Sequence, residues 1–338
     1  MSANRRIGYL VVTGLVVVAL AGGTVALVHR SSAKPAPPVD RDFSAYVGVG
    51  NPAGLTSLAT LLHHPMTFGT DCFDDRSWSG IDNDLWLINR WQGAGYPMVW
   101  CVPMLPVGQE TTLAEGATGA YDEHFVHLAR TLVAHGMGDS SLRIGWEFNN
   151  VAYPWYAAGQ APAFVAYWRH IVTALRSVPG GHFTIVWNPS RSSPSPATTA
   201  VGDLESYYPG DRYVDKVGID VYDQAFLHYP GAEAQFQSIR TLPGGLDWIA
   251  GFGAVHRKLV VVPEFGLGRG ASAPASGPLT QAGPVSGGDN PLFINDLFTW
   301  ERAHHVDNLA YWDYGSSSVE YGQNPLTASA LREQMARS

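Results

Sequence analysis

Short apolar runs alternate with amphipathic stretches along most of the chain. The clearest run is Val260-Val261-Val262-Pro263-Glu264-Phe265-Gly266, in which β-branched residues end abruptly in a carboxylate and a glycine. Apolar on both faces, it reads as a buried parallel strand with a glutamate at its C-terminal tip. The stretch from Leu142 to Asn149 (LRIGWEFN) ends in the same way, at Glu147. From Phe43 onward the pattern predicts eight strands, at residues 46–50, 67–71, 97–102, 143–148, 182–188, 214–222, 258–264 and 308–313. Helices are predicted at 54–63, 84–92, 121–135, 164–178, 292–304 and 327–336, and at 234–252 with a break at Pro243-Gly244-Gly245. In the fourth of these Phe164, Tyr167, Trp168, Ile171, Val172 and Leu175 recur at helical spacing. Eight strands alternating with helices are the pattern of an α/β (β/α)8 TIM barrel. A doubly wound open sheet is the competitor, but no G-x-G-x-x-G follows an early strand.

Two segments break the rhythm. Residues 268–290, rich in Gly, Ala, Ser and Pro, follow the seventh strand and read as a solvated insertion whose ends flank the mouth as a flap. At the N-terminus Arg5 and Arg6 precede residues 7–28, which carry no charge. About 22 apolar residues suffice to cross a bilayer, and the arginines hold their own side in the cytoplasm. Residues 1–30 are therefore expected to be a signal anchor (a transmembrane helix, or a signal peptide if cleaved). Residues 31–42 then form a Pro-rich tether, and 43–338 the barrel. The barrel is expected outside the cytoplasm, anchored to the cytoplasmic membrane, or secreted if the anchor is cut.

Charge and composition narrow the function. With 21 basic and 29 acidic residues and no basic tract beyond the N-terminus, nucleic acid is not an expected partner. Only 15% of residues are charged, while Trp (11), Tyr (15) and Phe (13) are plentiful; flat rings suit sugar faces, and equally a large core. The only cysteines, Cys72 and Cys101, fall near the ends of neighbouring predicted strands, where they can pair or stay as two buried thiols. No H-E-x-x-H, C-x-x-C or G-x-S-x-G occurs, and the adjacent pairs His63-His64 and His304-His305 point apart on helices. No metal and no cofactor is expected.

Barrel topology gives the two glutamates a chemistry. On strands four and seven, Glu147 and Glu264 stand across the mouth and can both face its centre. Carboxyls about 5–5.5 Å apart perform retaining glycoside hydrolysis, whereas about 6.5–9.5 Å leaves room for an inverting water. One must be ionised to attack the anomeric carbon; the other needs a raised pKa to protonate the departing oxygen.

The stretches RIGWEFN (Arg143 to Asn149), YYPGDRYVDKVGIDVYD (Tyr207 to Asp223) and PEFG (Pro263 to Gly266) together resemble glycoside hydrolase family 26, largely β-mannanases. The resemblance implies a retaining mechanism with Glu147 as acid/base and Glu264 as nucleophile. It places Asp220 and Tyr222 near the nucleophile, with the Tyr222 hydroxyl donating to Glu264, and makes Trp312 the floor of the subsite for the reacting sugar. Trp155 and Tyr156 resemble the aromatic cluster after the acid/base, one of them lining the cleft; Trp187 and Asn188 offer a ring and an amide to sugar hydroxyls. Trp146 and Asn149, flanking Glu147, complete the substrate-binding set. The family's mannanases carry His where this chain has Trp146, and a His at the tip of strand three where it has Pro103 and Met104. The expected function is an endo-acting retaining hydrolase of β-linked, mannan-like polysaccharide, on a monomeric catalytic domain working near the cell's own surface. Its rivals are a non-catalytic carbohydrate-binding barrel and a transglycosylase acting on the cell's own exported polysaccharide.

Overall fold

The computed structural model describes residues 42–191, 203–224, 231–268 and 288–337. The expected anchor, almost all of the tether and most of the 268–290 insertion lie outside the described residues. Among those described, no helix is long and apolar enough to cross a membrane.

The chain runs β1 (Asp42–Tyr46), α1 (Pro52–Leu62), β2 (Gly69–Cys72), α2 (Trp78–Asp82), α3 (Leu85–Gln92), β3 (Met98–Val102), α4 (Leu113–Gly116), α5 (Asp122–Ala134), β4 (Ser141–Ile144), α6 (Ala161–Arg176) and β5 (Thr184–Trp187). It continues through β6 (Lys216–Gln224), α7 (Ala232–Thr241), α8 (Leu246–His256), β7 (Leu259–Gly268), α9 (Pro291–His304), β8 (Asn308–Trp312) and α10 (Pro325–Met335). All paired strands are parallel, in the order β1-β8-β7-β6-β5-β4-β3-β2. The remaining seam, between β1 and β2, is bridged by Thr67 N–H donating to Phe43 O at 3.0 Å and by Ser44 Oγ donating to Phe68 O. The sheet is thus a nearly closed barrel with helices outside it, as the alternating pattern predicts.

Two apolar layers hold it. The outer one packs Leu142, Ile144, Ile185, Trp187, Val217, Ile219 and Val221 from the strands against the helices, which bury Leu128 and Leu132 of α5 and Trp168, Ile171 and Leu175 of α6. Each such side chain contributes about 1.5–3 kcal/mol by leaving water. Inside the barrel Phe68, Val99 and Ala310 make a small separate cluster. Cys72 and Cys101 are register partners on β2 and β3, with Cα atoms 4.3 Å apart, and form a disulfide. Such a bond suits an oxidising compartment.

Several boundaries differ from the sequence expectation. β1 lies at Asp42–Tyr46 rather than at 46–50, because the chain turns at Gly48, whose φ is +100°. β4 ends at Ile144, not at 148, and the segment carrying Glu147 is a turn beyond it. The helix expected at 234–252 breaks at Pro243-Gly244-Gly245 as expected, but its two parts run over Ala232–Thr241 and Leu246–His256. The short α2 and α4 were too brief to leave a periodic signal.

Candidate active site

Glu264 reaches the barrel interior through an irregularity in β7. In the β6–β7 register Gly218 faces Val261 and Asp220 faces Glu264, so β7 spends three residues where β6 spends two. Regular alternation from Val261 would aim Pro263 inward and Glu264 outward. The bulge restores Glu264 to the inner face, and it falls at Pro263, which has no N–H to give to a ladder. Gly218 makes room: a Cβ there would lie 3.1 Å from the Pro263 ring.

Glu147 is delivered by the turn after β4. Gly145 has φ +49°, and a Cβ on it would meet Met104 Sδ at 2.3 Å. Glu147 itself has φ +50°, a left-handed conformation that costs a non-glycine residue on the order of 1–2 kcal/mol. Surrounding hydrogen bonds over-determine it: Glu147 N–H donates to Asn188 O (2.9 Å), Asn150 N–H donates to Glu147 O (2.7 Å), and Asn150 Nδ2 donates to Glu147 Oε2 (2.9 Å). Both glutamates are largely buried, 5% exposed for Glu147 and 9% for Glu264.

Between the two acids lies Arg143, fully buried on the inner face of β4. Its Nη2 is 2.5 Å from Asp220 Oδ2, its Nη1 3.4 Å from Glu264 Oε2 and 3.3 Å from Cys101 Sγ, and its Nε donates to Asn188 Oδ1 at 2.8 Å. The other Glu264 oxygen, Oε1, accepts from the Tyr222 hydroxyl. One oxygen each of Glu147, Asp220 and Glu264 lie within 4.8 Å of one another. That spacing could hold a cation, and the chain supplies one there in the Arg143 guanidinium.

Burial pushes the Glu264 carboxyl above the usual glutamate range; Arg143 opposes this, Glu147 adds to it, and the Tyr222 hydrogen bond opposes it again. Asp220 is pushed well above its ordinary range by burial, against the pull of Arg143 and with the push of Glu264 and Glu147. One guanidinium thus serves both Asp220 and Glu264 and opposes the effect of burial on each.

The other residues singled out from the sequence divide by position. Trp312 extends from the end of β8 and stacks on Tyr46, its register partner in β1, with ring centroids 4.1 Å apart. Trp146 donates from Nε1 to the Tyr153 hydroxyl at 3.0 Å. Four of the residues expected at the substrate have other partners in the structure. Trp155 is fully buried and donates from Nε1 to Trp146 O (2.8 Å), so it packs the turn rather than lining the cleft. Of that expected pair only Tyr156 keeps partial exposure. Trp187 faces outward, because Val186 is the residue in register with inward-facing Arg143; its ring packs on Phe252 and Phe148. Asn188 is buried and its carbonyl oxygen is given to Arg143. Asn149 spends its amide on Ser190, accepting from the N–H (2.8 Å) and donating to the carbonyl (2.7 Å).

Three residues were missed. Arg143 was part of a quoted motif but given no role, although an arginine between Leu142 and Ile144 in an apolar strand was its signal. Asn150, not Asn149, touches the Glu147 carboxyl. The Tyr153 hydroxyl, pushed up by burial and by the charges of Glu147 and Glu264, borders the same site. A cavity of ≈ 360 Å³ lined by Trp91, Met98, His135 and Ser140 sits at the N-terminal ends of β3 and β4, the far end of the barrel from these carboxyls.

A parallel (β/α)8 barrel with paired carboxyls at the C-terminal ends of its strands is a glycoside hydrolase arrangement. The family supported by comparison is glycosyl hydrolase family 26, whose model matches residues 145–248, from the turn after β4 into α8. The fold is similar to that of a GH26 β-mannanase from Bacteroides ovatus (14% identity, TM-score 0.54, covering 88% of this chain and 86% of that one). It is also similar to a β-mannanase from a symbiotic protist of the termite Reticulitermes speratus (14% identity, TM-score 0.52, 88% and 87%). The likeness extends to the GH53 catalytic domain of Ignisphaera aggregans (13% identity, TM-score 0.56, 89% and 98%). No curated protein sequence matches.

Proposed function

We propose that the barrel is a retaining endo-glycanase, with Glu264 as nucleophile and Glu147 as acid/base, acting on a β-linked polysaccharide of mannan type. The observation that carries this reading is the approach of the Glu147 and Glu264 carboxyl oxygens to within 4.8 Å. Such closeness of one oxygen from each group supports double displacement over inversion, which needs room for a water between the carboxyls. In the first step Glu264 attacks the anomeric carbon and the bond to the glycosidic oxygen breaks. Glu147 gives that oxygen its proton, and a glycosyl ester forms on Glu264. In the second step Glu147 takes a proton from water, the hydroxide attacks the same carbon, and the Glu264 carboxylate leaves.

The surrounding groups suit these roles. Tyr222 and Arg143 each address one oxygen of Glu264, favouring its ionised form despite its burial. Asn150 Nδ2 donates to Glu147 Oε2 and so orients the carboxyl that gives its proton to the leaving oxygen. The mannan-type substrate rests on the family match and on β-mannanases among the structural neighbours.

Replacing Glu264 by Ala should abolish hydrolysis of a mannan, and added azide should restore turnover with a glycosyl azide of inverted anomeric configuration as product. Full activity in that variant would rule out the assignment.

A further inference from the structure

The strands β8, β1 and β2 are consecutive around the barrel, and the segments that follow them carry an unusual concentration of exposed apolar surface. Tyr314, just after β8, is 55% exposed; Val49, just after β1, is 55% exposed; Trp86, in the first turn of α3 after β2, is 59% exposed. Large rings are rarely left wet without a partner, and here they sit side by side on the face of the barrel that carries the site.

The ledge between the rings is fixed. Gly50 N–H donates to Asp71 Oδ2 (2.7 Å), Arg90 Nε donates to Gly50 O (2.8 Å), and Asn51 Nδ2 donates to Val47 O (2.9 Å). A Cβ on Gly50, whose φ is +60°, would come within 2.7 Å of the Trp86 ring, and one on Gly48 within 3.5 Å of the Tyr314 ring. Both rings therefore lie against bare backbone, and the Arg90 guanidinium covers Trp86 at 5.9 Å. The row is continuous with the site. Tyr314 meets the Tyr46 ring at 5.8 Å and the Trp312 ring at 6.4 Å, both edge-on, and Tyr46 and Trp312 stack on each other.

We propose that Trp86 and Tyr314 form a distal sugar-binding site, which holds the units of the polysaccharide lying on the non-reducing side of the sugar over Glu264. The proposal rests on the glycanase reading above. Its direction follows from the barrel: Glu147, after β4, protonates the departing oxygen, so the leaving half of the polymer crosses the β4 side. The retained half must cross the opposite side, where β8, β1 and β2 lie. A pyranose offers a flat C–H face to each ring, and the exposed Arg90 beside Trp86 offers N–H donors to hydroxyls at its edge.

The test compares kcat/KM for manno-, cello- and xylo-hexasaccharides with that for the matching trisaccharides, using the full chain. Trp86→Ala and Tyr314→Ala should each lower the hexasaccharide-to-trisaccharide ratio about tenfold, and Trp86→Phe, which keeps a ring, should recover most of it. An unchanged ratio in both Ala variants overturns the distal site and leaves the glycanase reading standing. Cleavage of no glycan by the unvaried chain defeats the glycanase reading and the distal site with it.

Discussion

The two oxygens of Glu264 are held by different partners, the Tyr222 hydroxyl on Oε1 and the Arg143 guanidinium facing Oε2. Both favour the ionised carboxylate that a nucleophile requires, and both oppose a burial that pushes the group upward. Removing one leaves burial less opposed. In Tyr222→Phe the Glu264 carboxyl should rise further, so the acid limb of the kcat/KM profile should move to higher pH. Loss of a hydrogen bond to a charged group is worth about 1.5–3 kcal/mol, or roughly a ten- to hundredfold fall in kcat/KM at the optimum. A limb that stays in place, or moves to lower pH, would mean that Tyr222 does not support the ionised form. Arg143 does the same work from the strand below, while Asn188 and Asp220 fix its orientation. Of these residues Asp220 and Tyr222 were legible as part of a motif. Arg143 was not assigned because its neighbours made the stretch read only as a strand.

At the scale of the elements, alternation of apolar strands and amphipathic helices was enough to lay out the barrel, since parallel strands buried on both faces have no competing period. What alternation could not supply was phase. Trp187 looked available for sugar and faces the helices, because the register of β4 with β5 gives the inner face to Val186 and Asn188. Glu264 reaches the inner face only through the bulge at Pro263, and Glu147 only through a left-handed turn. Neither irregularity has a periodic signature; each depends on a glycine opposite or within it. Gly145→Ala should show this for the turn. A Cβ there would strike buried Met104 and also bear a positive φ, so about 2–3 kcal/mol of stability should be lost in urea unfolding. Because Glu147 lies two residues on, kcat should fall by more than the unfolded fraction explains. A variant with normal kcat would show that the turn tolerates displacement without moving the acid.

Across the whole molecule, the cost of assembling acids at one end of a barrel appears in its response to pH. Burial pushes up Asp220 and Glu264 in the site, and Asp313, just past β8, to about 6 from an ordinary 3.8. For such a group the folded state binds its proton more tightly than the unfolded chain does. Stability is therefore greatest below the unfolded value and declines as pH rises from about 4 through about 6, where the buried carboxyl is made to ionise. For Asp313 alone the decline is on the order of 2 kcal/mol between pH 4 and pH 7. Asp313→Asn isolates that contribution without touching the site: an amide oxygen can still accept from Val319 N–H, the contact the carboxylate makes at 2.6 Å. Urea unfolding of both proteins across that range should give a flatter curve for the variant, which gains on the parent as pH rises. Parallel curves would show that Asp313 is already ionised in the folded barrel at pH 4, held by Val319 N–H strongly enough to outweigh its burial.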